Sequence, residues 1–469
     1  MNKKIEQSNK KLKNKNGITL VALVITIIIL LILAGISISS LTNTGIFGKA
    51  REAKEKTIEA QEKEQIQTAY FTASMEALSG DVTGLELQEQ LNKTLGNNKV
   101  AISYNADTSL NILFKETKHN FKVDKGEVTK TDIDNSTIAF FDTGLNVTQK
   151  MYNLASDGQM QYEYIFNNLS IDGIERATKA PELSKMTEDN IVSWTEAYTQ
   201  YETNPSEFEE VIPEGTELCP IYMWFEETGE EVRSIYGDEG LTEVTDESKQ
   251  KLVRTGTIYW WCKSDNVYLN PDASHMFLGL PYVSDISGLQ SIKTDYTQNM
   301  EQFLTVMSKN QRLKSFDELA TWNTSKVTNL SSALAGYEKL ENINGLKYWN
   351  TSNVTNMASI FGDGDIWPTE IKDLNPLKNW DVSNVEDMSH MFDGSGVTDL
   401  NPLKDWNVSK VKNMSYMFRG NSKIIDASPI NDWDIRNVTN FEWMFDTTHP
   451  EFTKVTGTWE NGTFKPNSN

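Results

Sequence analysis

WNTSKVTNL from Trp322 and WNTSNVTNM from Trp349 are near copies of each other, and this repeated stretch decides the fold. Three further copies follow along the chain: WDVSNVEDM from Trp380, WNVSKVKNM from Trp406 and WDIRNVTNF from Trp433. The five tryptophans are 27, 31, 26 and 27 residues apart. A period of this size predicts a repeat architecture, because one such unit cannot bury its apolar side alone and must stack on the next.

Apolar residues recur at fixed distances on both sides of each tryptophan. We call each set of equivalent apolar positions in successive units a ladder. The same register recovers a sixth unit without tryptophan from Val283 to Leu304, in which Thr297 is the one polar residue at a ladder position. Apolar residues spaced three apart before each tryptophan favour a short strand, and the Val, Met and Phe after it favour one helical face. Each unit is therefore predicted to be a strand plus a helical turn, with Ser383 and Ser409 at N-cap positions.

The N-terminal region contains a long apolar run. Residues 18–38 are 21 uncharged residues, about 31 Å of helix, which is enough to cross a bilayer. Six lysines precede the run and predict a cytoplasmic N-terminus with the remaining chain outside the cell. A processed leader and an uncleaved signal anchor both fit this pattern.

The basic leader that ends at Gly17, followed by Ile-Thr-Leu and the apolar run, resembles the leaders of type IV pilin-like proteins. The resemblance implies cleavage after Gly17 by a prepilin peptidase, methylation of Ile18, and a long stalk helix that carries a small sheet. Pilins usually have Glu at the fifth mature position, where this chain has Ala22. That departure puts assembly into a filament in doubt.

The region after the apolar run has the composition of a helix followed by strands. Residues 51–78 have high helix propensity, and strand-like runs follow at Val100–Tyr104, Leu110–Phe114 and Phe121–Val123. Two aromatic runs lie further on, Cys219–Phe225 and Thr257–Cys262, and both suit strands.

If the two aromatic strands pair antiparallel, Cys219 and Cys262 lie close together. The alternatives are then a disulfide, which the predicted extracellular location favours, and two buried free thiols. The aromatic side chains fit a core better than a platform for a ligand.

Composition limits the function classes. The formal charge of −22 disfavours nucleic acid and favours cationic partners. With two Cys and four His, and without HExxH, GxSxG, Walker A or GxGxxG patterns, the sequence shows none of the standard catalytic or phosphate-binding motifs. The chain is therefore predicted not to be an enzyme and to need no cofactor and no metal. Asp363 and Asp365 alone are too few ligands for a calcium loop.

The repeats, with their W(N/D)xSxVxxMxxMF pattern, resemble the BspA-like leucine-rich-repeat surface proteins of bacteria over roughly residues 266–465. The resemblance implies surface display and adhesion to other proteins, and it supplies no catalytic residue. An extended binding face is expected from the residues between the ladders. These are Asn342, Lys372, Asp373, Thr398, Asp399, Ile425 and Asp426.

The predicted fold class is therefore α+β and multidomain. The expected parts are a leader (1–17), a transmembrane helix (18–38), a stalk helix with a pilin-like sheet (39–130), an aromatic β region (131–265) and a leucine-rich-repeat solenoid with a C-terminal cap (266–469). The expected function is a single-pass cell-surface protein that binds an extracellular protein. The alternative is a minor pilin-like subunit of an envelope filament or secretion machinery.

Overall fold

The computed structural model describes residues 46–77, 82–97, 99–105, 107–131, 137–155, 170–194, 216–234, 250–306, 311–362, 371–424, 426–445, 457–460 and 463–466. The chain divides into two compact units, Met1–Thr68 and Ala69–Asn469. Three helices are described: α1 (Ile46–Glu76), α2 (Gly84–Leu95) and α3 (Gly144–Ala155). The helix predicted over residues 51–78 is thus confirmed as α1.

The predicted membrane anchor is not supported by the part of the chain that the structure describes. No described helix combines the length and the apolarity needed to cross a bilayer. The predicted span over residues 18–38, with Gly17, Ile18 and Ala22, lies outside the described residues. On this finding a single-pass membrane protein is not supported, and the prediction is corrected accordingly.

A four-stranded antiparallel sheet follows α2. Its strands are β1 (Val100–Tyr104), β2 (Leu110–Phe114), β3 (Asn120–Asp124) and β4 (Glu127–Thr131), in that order. The three predicted strands of this region are confirmed. Helix α2 begins with a capping box, in which the backbone N–H of Glu86 donates to Thr83 Oγ1 at 3.2 Å and the N–H of Thr83 donates to the Glu86 carboxylate at 2.8 Å.

The middle region contains two three-stranded sheets. Strands β5 (Thr137–Phe140), β7 (Glu217–Leu218) and β10 (Val267–Tyr268) form one parallel sheet in the order β10-β5-β7. Strands β6 (Ile171–Arg176), β8 (Ile221–Ser234) and β9 (Gln250–Cys262) form the other in the order β6-β9-β8. The antiparallel pairing of the two aromatic runs is confirmed, with Ile221 opposite Cys262.

The repeats stack through single residues rather than through strands. One residue of each unit forms a parallel bridge to the next unit, and each unit also contains a three-residue 3-10 turn. The bridge residues of the six units are Asn299, Asn329, Asn356, Asp387, Asn413 and Asn440, and Asp272, which precedes the first unit, bridges to Asn299. The 3-10 turns are Ser287–Leu289, Asp317–Leu319, Asn344–Leu346, Asn375–Leu377, Asn401–Leu403 and Ser428–Ile430.

The predicted leucine-rich-repeat solenoid is therefore wrong, since the described units contain neither a multi-residue strand nor an α-helix. The backbone explains the difference. The N–H of Met388 donates to Asn413 O of the following unit at 3.0 Å instead of to a carbonyl four residues back. Two residues later His390 has a positive φ of 57°, which ends any helical path. The expected α+β multidomain fold with a membrane helix and a pilin-like stalk is corrected accordingly.

Stacks of buried aromatic rings fill the interior of the repeats. The rings of Trp322, Trp349 and Trp380 stack at 6.5 Å between centroids with interplanar angles of 6° and 3°. Trp349 Nε1 donates to Leu319 O of the preceding unit at 3.2 Å, and Trp380 Nε1 donates to Leu346 O at 3.0 Å. Each tryptophan therefore contributes buried area and a hydrogen bond to one contact between neighbouring units.

A hairpin lies near the C-terminus. Strands β11 (Gly457–Glu460) and β12 (Thr463–Pro466) pair antiparallel, with Trp459 opposite Phe464.

Candidate functional site

The predicted binding face lies at the start of the 3-10 turns. Lys372, Asp373, Thr398, Asp399 and Asp426 are exposed, as the prediction requires. Asn342 is half-buried, and Ile425 lies outside the described residues. The face stays a prediction, because exposure alone does not distinguish a binding surface from a solvated one.

Four of these residues also have a structural role. Their side-chain oxygens accept the backbone N–H two residues further on, at 2.8 to 3.0 Å, which forms an Asx turn that starts the 3-10 turn. The four are Asn342, Asp373, Asp399 and Asp426. A substitution at these positions would therefore disturb the fold as well as any contact with a partner.

The same kind of Asx turn is found where N-caps were predicted at Ser383 and Ser409. The N–H of Ser383 donates to Asp381 Oδ1 at 3.0 Å, and the N–H of Ser409 donates to Asn407 Oδ1 at 3.2 Å. The residue that directly follows each tryptophan is thus the acceptor, and the serine supplies only its backbone N–H.

A second surface consists of aromatic side chains on the last three units, and we call it the aromatic row. His390, Tyr416 and Trp443 occupy the same position in successive units, three residues after the bridge residue. The His390 and Tyr416 rings stack at 4.6 Å with an interplanar angle of 9°. Trp443 is 36% exposed, which is unusual for the largest apolar side chain.

The backbone conformation at the aromatic row directs each of its side chains away from the buried ladder positions. His390, Tyr416 and Trp443 have positive φ angles of 57°, 60° and 51°. The N–H of His390 donates to Ser415 O of the next unit at 2.9 Å, and that of Tyr416 donates to Glu442 O at 2.8 Å. The left-handed conformation is therefore a property of the repeat, and hydrogen bonds between units hold it in place.

An ion pair with a buried acidic partner lies next to the aromatic row. Asp393 is 1% exposed and accepts three hydrogen bonds from Arg419, two from Nε at 3.0 and 3.1 Å and one from Nη2 at 2.8 Å. His390 Nδ1 lies 2.8 Å from Asp393 Oδ2, and the Arg419 guanidinium lies 4.8 Å from the centroid of the Tyr416 ring. Burial and then the negative charge of Glu442 raise the pKa of Tyr416. These contacts fix the orientation of the His390 and Tyr416 rings.

The sequence contained a signal for the aromatic row at a position outside the apolar ladders. The position ten residues after each tryptophan is Ser332 and Ser359 in two units, then His390, Tyr416 and Trp443 in the last three. A polar position that becomes aromatic in consecutive units indicates a surface with a function of its own. Its exposure depends on a positive φ, which the pattern alone does not give.

The two cysteines are free, buried thiols in the structure, so no disulfide joins Cys219 and Cys262. Burial is the largest cause that raises the pKa of both thiols, and it raises the pKa of Cys262 to about 12. A thiol with such a pKa is almost wholly protonated at neutral pH and therefore a poor nucleophile.

The aromatic strands form both core and surface. Trp260 is fully buried, whereas Tyr222 and Trp261 are half-buried and stack at 6.5 Å. No group of three or more His, Cys, Asp or Glu among the described residues is arranged to hold a metal ion. Asp363 and Asp365 lie outside the described residues.

These features define a class of repeat protein whose units join through single parallel bridges and rows of stacked aromatic side chains. The repeats are similar to the family DUF285, described as a Mycoplasma protein of unknown function, over residues 298–395 and 368–467. No curated protein and no solved structure matches the chain. The matched family is neither BspA-like nor pilin-like, so both of the resemblances drawn from the sequence are wrong.

Proposed function

We propose that this chain is a binding protein that recognises a protein partner through the aromatic row. The observation that carries the proposal is the alignment of His390, Tyr416 and Trp443 on three successive units, with Trp443 exposed. Aromatic and arginine side chains supply much of the binding energy at protein interfaces. The row presents both kinds, because Arg419 lies against the Tyr416 ring.

Two rings of the row are held in place before any partner arrives. Asp393 and the hydrogen bonds between units hold the rings of His390 and Tyr416, so little side-chain entropy remains to be lost on association. The acidic balance of the chain, −22, favours a partner whose contact surface combines apolar with basic side chains.

The test uses the full chain and a displayed library of peptides. We expect selected peptides to be rich in aliphatic, Arg and Lys residues and to lose affinity as salt is raised. Tyr416→Ala and Trp443→Ala are each expected to weaken binding by about tenfold or more, since truncation of an interface hot spot costs about 2 kcal/mol.

The matched control is Ser359→Ala, at the equivalent position of an earlier unit, which should leave the affinity unchanged. Absence of saturable peptide binding would refute the proposal, as would binding that is indifferent to both aromatic substitutions. Saturable binding of an oligosaccharide that depends on the same two residues would replace the protein partner with a sugar.

A further inference from the structure

A cavity of about 280 Å³ lies beside the four-stranded sheet, away from the aromatic row. Residues of β1, β2, β3, β5 and β10 line it, together with residues 292–296, Thr321 and Asn323 of the first repeat units. Its size is close to the lower limit of about 300 Å³ that is usual for ligand pockets. It is therefore suited to a molecule of about ten heavy atoms rather than to a peptide or a nucleotide.

A half-buried lysine supplies a positive charge to this cavity. Lys293 Nζ donates to Asn266 Oδ1 at 2.7 Å and lies 5.6 Å from the centroid of the Tyr268 ring. Within the described residues this is its one hydrogen bond, although an ammonium group carries three donors. Burial lowers the pKa of Lys293, while the negative charge of Asp295 opposes that effect. An anionic ligand would satisfy the remaining donors.

A buried amide forms part of the cavity wall. Asn120 is 6% exposed and lines the cavity, and its Nδ2 donates to Asn111 Oδ1 at 2.7 Å and to Thr131 Oγ1 at 2.9 Å. Its Oδ1 has no hydrogen-bond partner within the described residues. The same oxygen is closed off from solvent, so the Asn120 side chain forms part of the cavity wall and is not a contact for a ligand.

The rest of the lining supplies one more charge and an apolar wall. Asp295 lines the cavity and accepts a hydrogen bond from Asn323 Nδ2 at 2.7 Å, and no hydrogen bond to its second oxygen is found among the described residues. The rings of Tyr268 and Tyr296 lie 5.0 Å apart between centroids on the same cavity, beside the side chain of Ile292. One cation, one anion and an aromatic wall thus face the same small space.

We propose that this cavity binds a free α-amino acid with an apolar or aromatic side chain. Lys293 Nζ receives the carboxylate, Asp295 receives the ammonium group, and Tyr268 and Tyr296 pack against the side chain. The volume and the paired opposite charges distinguish this ligand from a simple fatty acid or an inorganic anion. The site is separate from the aromatic row, and its ligand does not depend on the function proposed for that row.

The experiment measures calorimetric binding of L-phenylalanine, L-tyrosine and L-leucine to the full chain. Each acid is paired with the amine that lacks its carboxylate: phenethylamine, tyramine and isoamylamine. We expect saturable binding of at least one acid and an affinity at least about tenfold lower for the matching amine, because a charge-assisted hydrogen bond is lost. This comparison uses the unmodified chain and needs no variant to fold.

A variant pair then locates the site. Lys293→Met should weaken binding of the acid by about tenfold or more and leave binding of the amine unchanged. Lys347→Met is the matched control, because Lys347 is also half-buried, hydrogen-bonded and beside a tyrosine ring, but lies outside the cavity. The proposal is overturned if no acid binds, if acids and amines bind equally, or if the Lys347 variant loses as much affinity as the Lys293 variant.

Discussion

Thr297 occupies the ladder position at which every later unit has valine. Its backbone follows the same turn, since its N–H donates to Thr294 O at 3.1 Å and that of Val327 donates to Thr324 O at 3.0 Å. Its side chain is fully buried, and its hydroxyl has no hydrogen-bond partner within the described residues. A buried hydroxyl without a partner costs about 1–3 kcal/mol of folding free energy.

Thr297→Val should therefore raise the free energy of unfolding by about 1 kcal/mol, because it removes an unpaired polar atom and keeps the shape. Urea denaturation followed by tryptophan fluorescence measures the change. The reverse substitution, Val327→Thr, serves as the control and should lower stability by a similar amount. A loss of stability in Thr297→Val would mean that the hydroxyl has a partner in solution.

For single residues, the sequence predicted the burial of side chains better than it predicted the backbone conformation. It marked Thr297 as the exception in its ladder, and the structure places that residue in the core. It did not find Tyr416 or Trp443, because their exposure follows from a left-handed backbone that aromatic residues rarely adopt. It also placed Asp399 on a binding face, although the Asp399 carboxylate closes a turn.

Among the elements, one 3-10 turn contains a glutamate whose carboxylate is partly buried. Glu318 lies in the turn Asp317–Leu319, and its Oε2 is buried without a hydrogen-bond partner within the described residues. Burial is the largest cause that raises the pKa of Glu318, and the negative charges of Asp317 and Asp285 add to it. An acid whose pKa is raised by folding stabilises the native state below its unfolded pKa, near 4.3, and that contribution is lost as the pH rises through its folded pKa.

Glu318→Gln should consequently stabilise the chain by up to about 1 kcal/mol at pH 7, a value reduced for the partial exposure of the side chain. The gain should shrink towards pH 4, where the native glutamate is protonated. Thermal unfolding of both proteins between pH 4 and pH 8 checks this, with Glu127→Gln on the exposed edge of β4 as the control. A gain that does not vary with pH would point to packing rather than charge.

The predictability of each element depended on how local its contacts are. The strands β1, β2 and β3 were found because they form an antiparallel meander in which each strand pairs with its neighbour in sequence. Strand β6 was missed because its partner, β9, lies far along the chain and pairs in parallel. The repeat unit was misjudged because a spacing of three and four residues fits a helix and a chain of turns equally well.

On the scale of the whole molecule, the repeats form contacts mainly with their immediate neighbours. Each bridge joins one unit to the next, as Asn356 does to Asp387, and each tryptophan donates its indole hydrogen bond to the preceding unit. Stability in such an array is approximately a sum of contributions from units and from contacts between neighbours. Loss of one contact should therefore destabilise the neighbouring units more than the rest of the molecule.

Trp380→Ala removes one such contact from the middle of the array. It deletes the stack on Trp349 and the hydrogen bond to Leu346 O, and a change of this kind in a core costs about 3–5 kcal/mol. Urea denaturation should show the loss. The control Leu183→Ala removes a side chain that is 86% exposed and should change stability by less than about 0.5 kcal/mol.

Hydrogen exchange of the same variant tests whether the damage stays local. We expect backbone amides of the flanking turns, Asn344–Leu346 and Asn401–Leu403, to lose the most protection, and those of β1 to β4 to lose the least. Nearest-neighbour coupling requires this gradient, because strands of the sheet share no bridge with the mutated unit. An equal loss of protection from β1 to the last repeat would instead show that residues 69–469 unfold as one cooperative body, in which the tryptophan row transmits a defect along its whole length.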